Sequence, residues 1–138
     1  MPEASIEPFA QAHVDGLIAL VAAEGWTEYT DDVERTYRAL TAPGVTTLVA
    51  SAGGPVVGAV QVQSDGFIQA HVSMLLIDRH WRGAGLGSRL LREGLKRAGG
   101  LQLDIRTRTE GYYERLGASR SLGFRLTRGD LGLAREVA

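Results

Sequence analysis

Apolar positions near the N-terminus repeat with the period of a helix. Val14, Leu17, Ile18 and Val21 recur at spacings of three and four residues, which places them on one face of an amphipathic helix. The stretch "ASIEPF" before them can form a short first strand. The pattern therefore predicts a strand followed by a helix that buries one of its sides.

A second helix is predicted from the stretch "TDDVE". Asp31 is placed to cap its first turn, and Glu34 follows three residues later, as in a capping box. Val33, Tyr37 and Leu40 share the predicted buried face of this helix. The stretch "APG" should end it, because proline and glycine interrupt helices.

The middle of the chain changes to β-branched runs. "VTTLVAS" and "PVVGAVQVQ" are separated by "AGG", and "FIQAHVSMLLI" follows the turn "SDG", so we expect an antiparallel meander. After a further helix, "LQLDI" should lie parallel to "HVSMLLI" through a right-handed crossover. The predicted fold class is α+β: a mixed, mostly antiparallel central sheet flanked by helices, with one strand–helix–strand crossover.

Composition narrows the class of protein without indicating a partner. Of 138 residues, 44% are apolar and 22% charged, which is typical of one soluble globular domain over residues 1–138. A net charge of -1 gives no general reason to expect a nucleic acid or a membrane as partner. The chain has no cysteine and no His/Asp/Glu cluster with metal-ligand spacing, so no metal is expected. An acidic N-terminus and a short apolar run, "LIALVAA", predict a cytoplasmic protein.

The stretch "RGAGLG" places glycines where a helix should begin. Gly83, Gly85 and Gly87 lie between the predicted strand and the leucine-patterned helix after it, with Arg82 before them and Ser88 after them. Helix N-termini carry partial positive charge and amides without partners, and glycine lets backbone approach a bulky phosphate closely. The spacing fits neither the dinucleotide fingerprint nor the P-loop. A phosphate cradle and a tight turn with close helix–strand packing are both consistent with it.

"RGAGLG", preceded by "MLLID" and Trp81, resembles the acetyl-CoA signature of the GNAT superfamily of N-acetyltransferases, Q/R-x-x-G-x-G/A. The resemblance extends to the order of the predicted elements and to "EGYYERLG", and it covers about residues 6–117. Leu-Gly occurs twice, in "ERLG" and in "SLGFRL", which leaves the register of the closing strands open.

The resemblance implies acetyl-CoA as co-substrate and assigns its contacts. The backbone of the strand before the cradle would pair with the pantetheine arm, and an N–H near Leu76 would stabilise the developing oxyanion. The cradle amides would hold the pyrophosphate, with Arg82 as a phosphate contact or a structural cap. The implied cofactor-binding residues are Leu75, Leu76, Ile77, Arg82, Gly83, Ala84, Gly85, Leu86, Gly87 and Ser88.

Two side chains are candidates for proton transfer. Tyr113 matches the family's tyrosine before x-x-Leu-Gly, which implies a general acid for the departing CoA thiolate, with Tyr112 as a core residue. His71 lies eleven residues before Arg82, where serotonin-type members carry a histidine that helps to deprotonate the amine. A hydrogen-bonded structural histidine is the alternative for His71.

The acceptor site is less well defined. Four candidates lie after the first helix, where the family shapes its acceptor pocket: Glu24, Trp26, Glu28 and Tyr29. A carboxylate there could hold a cationic amine, and an aromatic ring could pack on that amine. Gln61 is a further candidate, while a solvated loop is the alternative for the first four.

The resemblance implies direct acetyl transfer to a primary amine of a small molecule or peptide, with a homodimer as a common assembly among relatives. A catalytically silent acyl-CoA sensor is the alternative function.

Overall fold

The computed structural model describes residues 3–134, which fall into two compact units. The first unit runs to Ile105 and the second begins at Arg106. The helices are α1 (Val14–Ala23), α2 (Thr27–Thr30), α3 (Val33–Leu40), α4 (Leu86–Ala98) and α5 (Tyr112–Arg115). The strands are β1 (Ser5–Pro8), β2 (Val45–Ser51), β3 (Val56–Ser64), β4 (Gln69–Ile77) and β5 (Gln102–Ile105). No helix within residues 3–134 has the length and apolar character needed to cross a membrane.

The five strands form one mixed sheet in the order β1-β2-β3-β4-β5. The first four strands pair antiparallel, and β5 pairs parallel with β4 after the α4 connection, which confirms the predicted fold class. Pairing between β4 and β5 starts at Gln69 and Gln102 and stops at Val72 and Ile105. The rest of β4, up to Ile77, therefore extends past the end of β5.

One face of the sheet packs against the N-terminal helices. Leu17 and Val21 of α1 and Leu40 of α3 are buried against Met74 and Leu76 of β4. Burying a side chain of this size contributes about 1.5–3 kcal/mol relative to leaving it exposed. These contacts hold α1 and α3 across the strand that leads into the glycine stretch.

The other face of the sheet is covered by α4. Leu86, Leu90 and Leu91 of this helix are buried. Gly94 brings the helix so close that an added Cβ would lie 3.0 Å from Cγ2 of Val62. The missing side chain allows this approach, and the packing determines where the N-terminus of α4 lies.

The second predicted helix is present, but its cap and its buried face differ from the prediction. Asp32, not Asp31, caps α3, and its carboxylate accepts the amide of Arg35 at 3.0 Å. Val33, predicted to be buried, is 43% exposed. Thr36 is buried in its place, and its hydroxyl donates to the carbonyl of Tyr29 at 2.6 Å.

The second unit contains α5 and a 3-10 helix, Gly129–Leu131. No strand is assigned within residues 106–134, so the closing strands expected around "SLGFRL" are not found there. Leu122 and Phe124 of that stretch are 88% and 86% exposed.

The turn between β3 and β4 depends on one carboxylate. Asp65 accepts the amides of Phe67 and Ile68, each at 2.7 Å, and that of Gln69 at 3.3 Å. These hydrogen bonds, led by the one from Ile68, lower the pKa of Asp65 below its ordinary value. A carboxylate with a lowered pKa stabilises the folded state above its unfolded pKa, near 4, and this contribution is lost as the pH falls through the folded pKa.

We expect Asp65→Asn to melt at a lower temperature than the wild type at neutral pH, because the charge that accepts these amides is removed. The difference in Tm should shrink as the pH falls below the unfolded pKa, near 4, since protonation of the wild-type carboxylate then favours unfolding. Thermal melting of both proteins across this pH range tests the expectation. A Tm difference that stays constant with pH would contradict it.

Candidate functional site

The glycine stretch follows β4 through a short, well-anchored turn. The amide of Asp78 donates to the carbonyl of Val57 on β3 at 2.8 Å. The carboxylate of Asp78 accepts the amide of His80 at 2.9 Å and so caps the 3-10 helix Arg79–Trp81. This cap was not predicted, although an aspartate two residues before a backbone donor is a typical turn signal.

Gly83 and Gly85 adopt a backbone conformation that other residues rarely adopt. Their φ angles are 80° and 85°, and an added Cβ at either residue would meet no atom within 4 Å. The glycines are therefore required by the backbone angle and not by contact with the rest of the protein. We refer to residues 83–87 as the glycine loop; open space lies beside its first half.

Gly85 is also the N-cap of α4. The first hydrogen bond of α4 runs from the amide of Arg89 to the carbonyl of Gly85 at 3.1 Å. The amides of Leu86 and Gly87 precede this bond, at the positive end of a helix of 13 residues. A loop with open space next to a helix N-terminus fits a phosphate group.

Next to this loop, the end of β4 has one edge with which no strand within residues 3–134 pairs. Because the amide of Asp78 points to β3, strand alternation directs the N–H and C=O of Leu76 to β3 as well. The carbonyl oxygen of Leu76 indeed lies 3.2 Å from the Cβ position of Gly58 on β3. The same alternation directs the backbone groups of Leu75 and Ile77 to the opposite edge, beyond the last β5 pair.

The guanidinium of Arg82 makes hydrogen bonds to two other parts of the protein. Its Nε donates to the carbonyl of Ile77 at 3.0 Å, and its Nη2 lies 2.6 Å from Oε1 of Glu24. Of the two roles predicted for Arg82, this geometry supports the structural cap. It also places Glu24, predicted for the acceptor site, beside the start of the glycine loop.

The other predicted acceptor residues are in different environments. Trp26 and Tyr29 are half-buried against the core, with ring centroids 6.1 Å apart, while Glu28 is exposed. Trp26 is the N-cap of α2, a short helix that was not predicted, and Tyr29 lies within it.

Gln61 has a structural environment. It is 4% exposed, accepts the hydroxyl of Ser73 at 2.8 Å and donates to the carbonyl of Ala39 at 3.2 Å. Ser73 is the extra residue of a β-bulge, because Gln61 pairs with Met74 and the next β3 residue pairs with Val72. No local sequence signal indicates this bridge, since its partners lie on α3 and β4.

His71 is exposed on β4, and its strand neighbours are Gln63 on β3 and Asp104 on β5. Four residues separate it from Leu75, a distance of about 13 Å at about 3.3 Å per residue. His71 therefore cannot contact a group held at the Leu75 amide, and proton transfer between them requires water.

Tyr113 lies on α5 in the second unit. Partial burial raises the pKa of Tyr113 above its ordinary value, and neighbouring Tyr112 raises it further. The two rings pack edge to face, with centroids 5.0 Å apart. Tyr112, predicted as a core residue, is only half-buried. A phenol with a raised pKa remains protonated at neutral pH and can donate a proton.

The sequence profile of the acetyltransferase (GNAT) domain matches residues 9–125. The chain belongs to the GNAT acetyltransferase family. This membership confirms the resemblance found in "RGAGLG", and it makes the chain an acetyltransferase by family. A comparison with curated proteins finds no match.

Solved structures share the fold of this GNAT chain. A Deinococcus radiodurans R1 protein described as a candidate acetyltransferase is 27% identical, with a TM-score of 0.69, over 98% of this chain and 95% of its own. A Trypanosoma brucei acetyltransferase is 17% identical, with a TM-score of 0.74, over 91% and 99%. AAC(6′)-Iy, solved with the bisubstrate analogue CoA-S-monomethyl-acetylneamine, is 14% identical, with a TM-score of 0.68, over 91% and 99%.

The structural environment of Gln61 leads to a stability prediction. Gln61→Met removes the acceptor of the Ser73 hydroxyl and the donor to Ala39, so we expect a loss of about 1–2 kcal/mol in the free energy of unfolding. Gln63→Met, the matched control on the same strand, replaces an exposed side chain and should change it by less than about 0.5 kcal/mol. Urea unfolding measures both, and equal losses would contradict a bridging role for Gln61.

Proposed function

We propose that this chain transfers the acetyl group of acetyl-CoA directly to a primary amine of a small molecule or peptide. One observation carries the proposal: the glycine loop, with two positive φ angles and open space beside it, joins the N-terminus of α4 to an edge of β4 that extends past β5. The glycine loop at the helix N-terminus suits a diphosphate, and the strand edge suits an extended amide chain. Coenzyme A contains both.

The residues that would hold the donor follow from this geometry. The amides of Gly83, Gly85, Leu86 and Gly87 would face the pyrophosphate, with Ala84 and Ser88 completing the cradle. The backbone groups of Leu75 and the N–H of Ile77 would pair with the pantetheine arm, because the carbonyl of Ile77 already accepts Arg82. Acetyl-CoA supplies an activated acetyl thioester when it is bound.

Strand alternation identifies the amide that would stabilise negative charge on the thioester oxygen. The N–H of Leu76 is directed to β3, whereas that of Leu75 is directed to the available edge. We therefore place the oxyanion donor at Leu75 and not at Leu76. A backbone amide in a strand suits this role because it does not reorganise during the reaction.

Two proton transfers remain to be assigned. The amine must lose a proton before attack, and His71 could accept it through water, since its distance from Leu75 along β4 excludes direct contact with a group held there. Tyr113 would donate a proton to the departing thiolate. The raised pKa of Tyr113 supports this role, because it keeps the phenol protonated.

The structure with the bisubstrate analogue supports the donor assignment. Its ligand joins CoA to acetylneamine on a protein that shares this fold. The acceptor of the present chain is open between aminoglycosides, polyamines, amino acids and peptide N-termini. A panel of kanamycin, spermidine, lysine and a short peptide, with thiol release as readout, tests the proposed reaction. Release with none of them would contradict the proposed function.

Donor binding gives a first test at the glycine loop. CoA should raise the Tm of the wild type, because a ligand that binds only the folded state stabilises it. Gly85→Ala should lower the Tm of the ligand-free protein by several degrees, since alanine in this conformation costs about 1–2 kcal/mol. It should also weaken CoA binding about tenfold or more, equivalent to about 1.4 kcal/mol, because the methyl group enters the space beside the loop.

Gly53→Ala is the matched control for this variant. Gly53 has a φ of 65° and open space around it, and it lies in the turn between β2 and β3. It should lose a similar amount of stability and retain wild-type affinity for CoA in calorimetry. Equal affinity in both variants would remove the glycine loop from donor binding.

Tyr113 gives a second test. Tyr113→Phe should lower kcat about a hundredfold, because a positioned general acid contributes about 10²–10⁴. The KM for acetyl-CoA should change little. Tyr112→Phe, which removes the hydroxyl of the adjacent ring, is the control and should retain kcat. Steady-state kinetics with an active amine would exclude Tyr113 as the acid if both variants turn over equally.

A further inference from the structure

The ion pair between Glu24 and Arg82 joins two segments that the proposed reaction uses for different substrates. The residues are 58 positions apart, and their side chains meet at 2.6 Å. Arg82 directly precedes the glycine loop. Glu24 begins the segment 24–29, which we call the acceptor turn.

The acceptor turn starts from a well-defined helix end. Glu24 is the C-cap of α1, and Gly25 follows with a φ of 73°. The amide of Gly25 donates to the carbonyl of Ala22 at 3.0 Å, and that of Trp26 donates to the carbonyl of Val21 at 3.4 Å. These two bonds form a Schellman motif, which fixes the backbone at Glu24 and directs the chain toward Trp26.

The guanidinium of Arg82 connects this turn to β4. It donates to the carbonyl of Ile77 at 3.0 Å while it holds Glu24. The carboxylate of Glu24 is therefore already paired with a cation and is poorly suited to hold a second one, the substrate ammonium. The side chains of Glu24 and Arg82 are 32% and 56% exposed, and pairs this exposed contribute little to global stability.

We propose that Glu24 is a positioning residue that acts through Arg82: the pair fixes the acceptor turn, and with it Trp26 and Tyr29, relative to the end of β4. This inference rests on the proposed function, because it concerns the binding of the amine. It replaces the expectation that Glu24 binds the amine itself. Loss of either member of the pair loosens the same turn.

The test is a double-mutant cycle with Glu24→Gln, Arg82→Gln and the double variant. Each single variant should raise the KM for the most active amine of the panel about two- to fivefold, the range of an exposed ion pair, with a smaller change in kcat. The double variant should be no worse than either single variant, because the same contact is lost. Glu34→Gln breaks an exposed pair with Arg38 on α3 and is the matched control.

A contact with the amine would give a different pattern. A rise in amine KM that occurs in Glu24→Gln but not in Arg82→Gln would overturn the inference, as would additive effects in the double variant. High ionic strength should raise the wild-type KM toward that of Glu24→Gln, because salt screens exposed charges.

Ligand-free hydrogen exchange separates this inference from the proposed function. The amides of Gly25 and Trp26 should exchange faster in both single variants than in the wild type, and no faster still in the double variant. Unchanged exchange at both amides would overturn the inference. If this exchange pattern is found but no amine is acetylated by the wild type, the proposed function fails while the structural coupling stands.

Discussion

The hydrogen bonding of β4 determines what the glycine loop can do. One edge of this strand is paired with β3 along its length, whereas the pairing with β5 ends at Val72. Backbone donors and acceptors require partners, and the last residues of β4 therefore present groups that an extended ligand can pair with. The amide of Asp78 holds the end of β4 to β3 and so determines which backbone groups point outward. A shift of one residue at this point would exchange Leu75 for Leu76.

Packing on both faces of the sheet keeps the loop in place. Met74 and Leu76 are buried toward α1 and α3, while α4 lies close to β3 through Gly94. The N-terminus of α4 cannot move away from the sheet without opening the packing of Leu90 on Gly58 of β3, because interiors are close-packed. The rigidity of the loop thus comes from the helix behind it, and the two glycines supply only the backbone angles.

Local patterns predicted most of the fold. Each of the five strands and the helices α1 and α4 were expected from β-branched runs, helical spacing and glycine turns, because the physics that forms them is local. The cap of α3 was placed one residue early, since two adjacent aspartates offer equivalent caps and only packing chooses between them. α2, with four residues, carries no periodicity. The "SLGFRL" stretch has strand-like alternation, yet no strand is assigned to it, because alternation alone does not supply a pairing edge.

The same distinction between local and long-range interactions applies to the candidate site. The glycine loop could be found from a short stretch because its angles are local. The roles of Glu24 and Gln61 could not be found in this way, because each depends on a partner from a distant element. Glu24 pairs with Arg82, and Gln61 bonds to Ala39 and Ser73. Pairing with Glu24 also changes the electrostatics of the loop, because it offsets the positive charge of Arg82 at its entrance. The loop would then attract a diphosphate through backbone dipoles and the end of α4, whose effect falls off within one turn. Recognition of this kind would depend on close approach, which the open space beside Gly83 and Gly85 would allow.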